Sequence, residues 1–340
     1  MPELARLTAT LSRHLPPVLR WAGGIARQLR GHDISVGGKT SGSANTDALT
    51  LADLSVQELI VAALRDADPL LRECRLEAEE STGDVGRFAT ESPYTIAIDP
   101  IDGTKCYRDR TGGSYSVVVM LQSAETVHYS LVYIPETGPR GTWVEVGRRR
   151  SEVGGRRSED GKSAETAPTS VLRPPSSDAS GDRIVTGPDD WDRPAADVLA
   201  GFVPVAKTNR PKSRNVYVIG FQQHDRAKAD AVTAAGLKGF TADDLPGCVF
   251  ELQARGEFAG SLIHTPNIYD FPVSMQIARA LGGDALWVHN REPVHLRETW
   301  LDDRADMLRL PGIVACSEHR DVLDALCALA RDWSPIRYRD

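Results

Sequence analysis

The sequence predicts an α/β (α+β) fold in two halves, and three observations along its 340 residues support this fold class. The first is the helical spacing of apolar residues over 2–30 and 50–64. The second is a group of apolar runs at 94–98, 115–122 and 127–134, which are typical of strands. The third is the alternation of strand and helix patterns in the second half of the chain.

The two N-terminal helix patterns contain signals for their ends. Pro16 and Pro17 are expected to interrupt or kink the first helix, because proline has no backbone N–H to donate. In the second helix, Asp53 lies in the first turn, where a carboxylate complements the helix dipole. The intervening residues 31–47 are rich in Gly and Ser, and we expect them to form a mobile loop.

The segment 135–182 separates the two halves. It is rich in Gly, Pro, Ser, Arg and Glu, a composition that favours strand ends, turns and surface loops with partial disorder. We therefore divide the chain into an N-terminal α+β half, 1–182, and a C-terminal α/β half, 183–340. The second half opens with strand-like segments at 184–187 and 216–221, followed by helix patterns at 270–281 and about 321–331.

Composition excludes several classes of protein. The net charge of −7 gives no support to a nucleic-acid polymer or a membrane surface as partner, because both would require a basic field. The five cysteines are widely spaced and form no CxxC, which argues against a disulfide framework and a zinc site. The sequence shows no signal-peptide-like apolar region and no apolar run of 18 residues, so we expect a cytoplasmic protein.

The most informative segment is the hexapeptide DPIDGT at 99–104, which directly follows an apolar strand run. Two carboxylates this close repel each other unless a cation lies between them. Oxygen ligands at a tight turn suit Mg²⁺, and the carbonyl of Ile101 offers a further ligand. If a helix begins here, the N–H groups of Gly103 and Thr104 would face a phosphate. The alternative is an Asp-rich turn that only caps a helix.

Other acidic residues are weak signals when each is taken alone. The pair Glu79 and Glu80 precedes a turn, but adjacent glutamates usually lie on solvated faces. Asp270 precedes Phe271-Pro272 and could simply be a helix N-cap. The functional prediction therefore depends on the combination of these residues.

In this order and spacing, four segments resemble the inositol monophosphatase family of Mg²⁺-dependent, lithium-sensitive phosphatases. The segments are LTLAD (49–53), AEES (78–81), IDPIDGT (98–104) and YDFPVSMQIARALGG (269–283). The superfamily also includes the 3′(2′),5′-bisphosphate nucleotidases and the fructose-1,6-bisphosphatases. The resemblance implies a sugar-phosphatase fold, which is a layered α-β-α-β-α sandwich. Its first sheet would be antiparallel, its second mixed or parallel, and the site would lie between the halves of a subunit that commonly forms homodimers.

The resemblance also implies the metal ligands. One Mg²⁺ ion would be held by Glu80, Asp99 and the carbonyl of Ile101. A second would be held by Asp99, Asp102 and Asp270. A third, weaker ion would lie near Glu80 through water, so the site would take two or three ions, with Lys39 as a possible neighbour or a solvated lysine.

The remaining implied roles concern catalysis and phosphate binding. Asp53 and Thr104 would orient and deprotonate the attacking water, with Glu80 also in the catalytic set. Asp102 and the N–H groups of Gly103 and Thr104 would contact the phosphate. The substrate would be a small phosphomonoester, by default a sugar or cyclitol phosphate.

Departures from the family pattern leave the substrate open. The C-terminal metal motif, which usually begins Trp-Asp, here reads Tyr269-Asp270-Phe271-Pro272, so the packing beside the ligand differs. Ile263 stands where inositol-specific members carry a glutamate. Lys105 is typical of the bisphosphate nucleotidases, yet the 246–250 segment (PGCVF) differs from that branch. The alternatives are therefore a sugar or cyclitol phosphatase, a 3′(2′),5′-bisphosphate nucleotidase, and, more remotely, a non-catalytic binding protein on the same fold.

Overall fold

A computed structural model describes residues 2–32, 34–37, 48–111, 115–148 and 182–338 of the protein. Its helices are α1 (Pro2–Leu29), α2 (Leu51–Ala67), α3 (Thr104–Asp109), α4 (Ala195–Ala200), α5 (Asp225–Ala234), α6 (Val249–Arg255), α7 (Pro272–Ala280) and α8 (Arg320–Ala330). Its strands are β1 (Arg75–Ala78), β2 (Tyr94–Asp102), β3 (Ser116–Ser123), β4 (Val127–Ile134), β5 (Thr142–Arg148), β6 (Asp182–Pro188), β7 (Asn215–Ile219), β8 (Lys238–Phe240), β9 (Gly260–His264), β10 (Asp284–Trp287), β11 (Trp300–Asp302), β12 (Met307–Arg309) and β13 (Ile313–Ser317).

The first sheet has the strand order β1-β2-β3-β4-β5-β6. Neighbouring strands are antiparallel from β2 onwards, and β1 adds to β2 in parallel. β6 pairs with β5, so the run predicted to open the second half instead completes the first sheet. The predicted boundary at residue 182 therefore falls at the start of this strand.

The second sheet is mixed, with the order β10-β13-β9-β7-β8. β7 runs parallel to both β8 and β9, whereas β13 is antiparallel to β9 and β10. The short strands β11 and β12 form a separate hairpin. An antiparallel-dominated first sheet and a mixed second sheet confirm the predicted fold class.

Three apolar cores separate the layers. One lies between helices α1 and α2 and the first sheet, the next between the two sheets with α6 and α7, and the third between the second sheet and α8. β3 contributes to two of them, because Val117 and Val119 face the first core while Val118 and Met120 face the second. Both faces of the first sheet are thus covered, as in an α-β-α-β-α sandwich.

Helix α1 is continuous through Pro16 and Pro17, so the expected interruption does not occur. Its buried leucines recur every four residues at Leu7, Leu11, Leu15 and Leu19 and pack in the first core. Burial of this continuous face outweighs the cost of proline inside a helix, about 3 kcal/mol. Among the described residues, no helix combines the length and apolar character needed to span a membrane.

Candidate active site

Three aspartates from both halves of the chain come together at the end of β2. Asp99 and Asp102 belong to β2, and Asp270 lies just before α7. One carboxylate oxygen from each lies within 4.8 Å of the other two. Asp99 is buried, and the other two are half-buried. The structure therefore brings together the three aspartates that the sequence singled out as metal ligands.

A break in the β2–β3 register explains how one strand can supply two of these groups. In a regular strand, residues three positions apart point to opposite faces of the sheet. The pairing of β2 with β3 shifts between Asp99 and Asp102, and such an irregularity re-aims side chains. The Ile101 N–H then donates to Asp99 Oδ1 at 2.9 Å, and the Ser116 hydroxyl donates to Asp102 Oδ2 at 2.8 Å.

Asp270 is positioned by a residue that the sequence analysis did not identify. The side-chain oxygen of Asn267 accepts hydrogen bonds from the backbone N–H groups of Tyr269, at 2.8 Å, and Asp270, at 3.1 Å. Asn commonly organises a turn by accepting from the backbone two or three residues further on. An Asn three residues before the acid was the sequence signal for this turn.

The electrostatics of the cluster favour a bound cation. Burial raises the pKa of Asp99 and of Asp270 well above the ordinary value, and neighbouring carboxylates raise both further. Burial also raises the pKa of Asp102 to about 6. Enclosed carboxylates that repel one another are stabilised in the charged form by an ion between them. Because all the donors are oxygens, the residues fit Mg²⁺.

The structure corrects the assignment within the glutamate pair. Glu79, and not Glu80, lines the cavity beside the aspartates, and its carboxyl hydrogen-bonds that of Asp99. The physical reason is the register of the two strands. Ala78 of β1 pairs with Ile98 of β2, so the residues that follow them, Glu79 and Asp99, lie side by side on one face of the sheet.

The backbone of Glu80 is held against α2 instead. The amide of Gln57 accepts from the Glu80 N–H at 3.0 Å and donates to the Glu80 carbonyl. The same amide donates to the Thr82 carbonyl at 2.8 Å. Gln57 is fully buried, so this clamp fixes the turn that follows Glu79. This geometry favours Glu79 over Glu80 as the candidate metal ligand and catalytic residue.

Asp53 and Thr104 are joined by a hydrogen bond, as the sequence analysis expected of an oriented pair. The Thr104 hydroxyl lies 3.0 Å from Asp53 Oδ1 and 2.7 Å from the Ile101 carbonyl, and its one proton serves one acceptor at a time. Asp53 Oδ2 accepts from the N–H and hydroxyl of Thr50 at 2.7 and 2.6 Å, which forms the capping box of α2.

Burial raises the pKa of Asp53 to about 6, although the hydrogen bonds from Thr50 oppose this shift. A carboxyl group with such a pKa is charged at neutral pH and can still accept a proton from a neighbour. Gly103 adopts the left-handed conformation with φ 84° immediately before α3. A positive φ favours glycine, which explains why this residue type stands between Asp102 and Thr104.

A cavity of about 170 Å³ extends from the carboxylates over the ends of β7 and β9. Ile263 and the 247–250 part of the unusual segment lie in its wall. Lys105 lies there too, and its ammonium donates to Asp243 at 2.9 Å. Lys39, considered above as a neighbour of a third ion, falls outside the described residues.

Comparison with known proteins agrees with this geometry. Residues 15–173 match the sequence model of the inositol monophosphatase family. This match covers just under half of the chain, so this part of the chain is similar to the family. The match, together with the inositol monophosphatases among the solved structures of the same fold, indicates a phosphatase enzyme. No curated protein matches the chain at a significant level.

Solved structures share the fold across nearly the whole chain. An inositol monophosphatase from Anabaena has 14% identity and a TM-score of 0.56, with 98% of each chain covered. CysQ from Bacteroides thetaiotaomicron has 16% identity and a TM-score of 0.54, covering 92% of this chain and 98% of its own. An IMPase/NADP phosphatase solved with Mg²⁺ and phosphate has 14% identity and a TM-score of 0.59, covering 98% and 100%. These likenesses concern the fold.

Proposed function

We propose that the protein is a Mg²⁺-dependent phosphomonoesterase that hydrolyses a small phosphorylated metabolite, by default a sugar or cyclitol phosphate. The observation that carries this proposal is the cluster of three aspartate oxygens within 4.8 Å of one another. The Asp53–Thr104 hydrogen bond of 3.0 Å supports it. Such an arrangement can hold a hard cation and orient a water molecule at the same time.

We propose that the site holds two or three Mg²⁺ ions, the number that the resemblance to the inositol monophosphatase family implies. Their ligands would be the carboxylates of Glu79, Asp99, Asp102 and Asp270 and the carbonyl of Ile101. When bound, Mg²⁺ lowers the pKa of water and offsets charge on phosphate oxygens. A neighbour of the same fold was solved with Mg²⁺ and phosphate, which supports the choice of ion.

The chain's own residues orient the water and remove its proton. The Thr104 hydroxyl donates to Asp53 and keeps lone pairs that can accept from water. Asp53 is charged above pH 6 and receives the proton of the attacking water through the Thr104 hydroxyl. Asp102 and the N–H groups of Gly103 and Thr104, at the start of α3, are proposed to contact the phosphate.

A second candidate is a 3′(2′),5′-bisphosphate nucleotidase. The observation that favours it is Lys105, which lies in the cavity wall, although its ammonium is already paired with Asp243. Neighbours of the same fold were solved with 2′-AMP and with inositol monophosphate, so a nucleotide and a cyclitol phosphate are both represented among their ligands.

Three further expectations carry over from the resemblance as proposals. The protein is proposed to be a cytoplasmic homodimer that lithium inhibits. Light scattering after size-exclusion chromatography would measure the mass in solution. A mass near 37.0 kDa would mean a monomer and would contradict the dimer.

The deciding experiment is phosphate release from a panel of sugar, cyclitol and nucleotide phosphates. Each compound is assayed with Mg²⁺, with EDTA, and with Mg²⁺ plus Li⁺. Release that requires Mg²⁺ would support the proposal, and the best substrate would choose between the two candidates. Absence of release from every compound, with a folded and metal-loaded protein, would contradict it.

A further inference from the structure

The connection between β9 and α7, residues 265–271, carries Asp270 of the carboxylate cluster. Its first residue, Thr265, is buried and has a φ of +43°. A positive φ is a strained conformation for a β-branched residue, so the surrounding contacts must hold it in place. The contacts of Thr265 therefore bear on the geometry of the whole connection.

The residues between Thr265 and Asp270 have little conformational freedom. Pro266 has a fixed φ, and the side chain of Asn267 accepts from the Asp270 N–H at 3.1 Å. The Ile268 N–H donates at 3.2 Å to a carbonyl of strand β12. Because these contacts hold the connection in one conformation, a displacement of Thr265 would reach Asp270.

The Thr265 hydroxyl is fixed by Arg337 on one side and His264 on the other. Arg337 Nη1 donates to Thr265 Oγ1 at 3.0 Å. His264 Nε2 lies 3.0 Å from the Ser334 carbonyl, which can only accept, so this nitrogen is assigned the proton. Burial lowers the pKa of His264 to about 4 and keeps the ring neutral. His264 Nδ1 then accepts from the Thr265 hydroxyl at 3.2 Å.

Arg337 belongs to the C-terminal segment, residues 334–338, which crosses the ends of β7 and β9. Its Nη1 also donates at 3.0 Å to the carbonyl of Gly220, which follows β7. Its Nε lies 3.5 Å from a carboxylate oxygen of Asp302, which the Tyr338 hydroxyl contacts at 2.8 Å. The guanidinium group thus joins the connection to the neighbouring strand of the second sheet.

Arg309 makes a second contact to the same threonine. It ends strand β12 and donates to the Thr265 carbonyl at 3.2 Å, while its Nε pairs with Asp302 at 2.7 Å. This contact comes from a hairpin that lies against the connection, whereas Arg337 comes from the end of the chain. Loss of Arg337 leaves the Arg309 contact in place, so we expect the connection to shift without unfolding.

We propose that Arg337 is a positioning residue for the metal site. Through Thr265 it fixes the connection that holds Asp270 beside the other two aspartates of the cluster, so Mg²⁺ binding depends on the C-terminal segment. This inference rests on the proposed Mg²⁺-dependent function and adds to it a residue outside the ligand set. Residues that orient metal ligands in this way commonly change metal affinity by about 10–100-fold.

The test measures Mg²⁺ binding directly, by calorimetric titration of the substrate-free protein with Mg²⁺ alone. Arg337→Gln removes the charged group, and Thr265→Val removes only the hydroxyl and keeps the shape of the side chain. We expect the Kd for Mg²⁺ to rise by about tenfold or more in Arg337→Gln and by about three- to tenfold in Thr265→Val.

Two further variants serve as references for the titration. Arg337→Lys keeps the charge and a donor, and it should restore part of the affinity that Arg337→Gln loses. Arg331→Gln removes an equal charge from an exposed position and should bind Mg²⁺ as the wild type does.

Kinetic measurements separate positioning from substrate binding. Arg337 also lines the cavity, so a direct contact with the substrate would raise KM in Arg337→Gln. For a positioning residue, the Mg²⁺ concentration for half-maximal phosphate release rises instead. At saturating Mg²⁺, kcat and KM then return close to the wild-type values. A loss of stability alone would lower the melting temperature and leave the Mg²⁺ affinity of the folded protein unchanged.

The possible outcomes are distinct. If Arg337→Gln and Thr265→Val both bind Mg²⁺ with wild-type affinity, the inference is overturned and the phosphatase proposal stands. A raised KM with unchanged Mg²⁺ affinity would also overturn it and would assign Arg337 to the substrate. If only Arg337→Gln loses affinity, the route through Thr265 is overturned.

Two outcomes concern the protein before any comparison of affinities. If Arg337→Gln does not fold, Thr265→Val decides the question, because it retains the arginine. If the wild type binds Mg²⁺ but releases no phosphate, the phosphatase proposal fails, and the titrations still decide whether Arg337 positions the metal site. If the wild type binds no Mg²⁺, both proposals fail.

Discussion

Thr104 provides the most direct test of how the water is activated. Its hydroxyl links Asp53 to the place where the water would stand, and valine has the same shape without the hydroxyl. We expect Thr104→Val to lower kcat by about 10²-fold, in the range of general acid–base catalysis. Thr104→Ser keeps the hydroxyl and should turn over near the parent rate. A loss of turnover in Thr104→Ser together with near-parent turnover in Thr104→Val would show that the methyl group, and not the proton path, matters.

Asp99 is the most enclosed member of the carboxylate cluster. Replacement by Asn removes one buried charge that its neighbours repel in the metal-free protein. We expect Asp99→Asn to lower turnover by about 10²–10³-fold or more, since an amide is a poor Mg²⁺ ligand. The metal-free variant should nevertheless melt no lower than the metal-free wild type at pH 8. Asp84→Asn, at an exposed position, serves as the control for both measurements.

The acidic pair Glu79 and Glu80, which follows β1, shows what the sequence could and could not resolve. The motif and the resemblance identified the pair, but two adjacent glutamates look alike without knowledge of strand register. The pairing of Ala78 with Ile98 decides that Glu79 faces the aspartates. Register depends on the partner strand, and local sequence does not contain it.

This register makes a prediction about strand β1 and the turn after it. Glu79→Gln should weaken Mg²⁺ activation and lower activity strongly, because the side chain lies beside Asp99. Glu80→Gln should have a much smaller effect, because Gln57 holds that residue through its backbone. The measurement is the Mg²⁺ concentration for half-maximal phosphate release in each variant. A stronger effect in Glu80→Gln would contradict the corrected assignment.

Two adjacent glycines in α1 test how closely this helix packs on the first sheet. A Cβ at Gly23 would lie 2.5 Å from ring atoms of Tyr133, whereas a Cβ at Gly24 would meet nothing within 4 Å. We expect Gly23→Ala to destabilise the fold by about 1–3 kcal/mol through overpacking. Gly24→Ala should stabilise it by about 0.5–1 kcal/mol, because alanine favours the helix. Denaturant unfolding of both variants would check the opposite signs.

Local sequence patterns predicted which helices and strands form better than they predicted which strands pair with each other. The run at 127–134 coincides with β4, and the expected second helix begins after its Thr50 cap. The 184–187 run was correctly predicted as a strand, but its pairing with β5 was not predicted, because β5 lies in a segment that was interpreted mainly as loops. The continuity of α1 through two prolines depends on tertiary packing, which outweighs the local signal.

The carboxylate cluster should make the stability of the whole molecule depend on pH. The pKa of Asp53 and that of Asp102 are about 6 in the folded state and about 4 when unfolded. Between these values the folded protein binds more protons, so the free energy of unfolding decreases as pH rises through 6. We expect the metal-free protein to lose thermal stability from pH 5 to pH 7.

The control is the same series with Mg²⁺, because saturating metal binds only the folded state and compensates the buried charge. The difference in melting temperature between the two series should widen as pH rises, by about 2–4 °C for each kcal/mol gained. Groups far from the site contribute equally to both series and cancel. A difference that stays constant or narrows with rising pH would contradict this account.

Much of the candidate site could be predicted because its residues lie in short, recognisable segments. Asp99 and Asp102 stand three positions apart, and the aspartate before α7 has a proline signal beside it. Arg309 and Arg337 line the same cavity and gave no such signal. Arg337 reaches the cavity only because the C-terminal segment folds back over the ends of β7 and β9. Only the complete fold determines that a segment so distant in sequence packs against the site.

The joint between β5 and β6 offers a practical opportunity. Arg148 and Asp182 are register partners, so two points separated by 33 intervening residues lie side by side in space. Since β2 to β5 alternate in direction, this joint lies at the opposite end of the sheet from Asp99 and Asp102. A fluorescent reporter or an affinity handle could therefore be grafted here, or the connection shortened, without disturbing the chemistry.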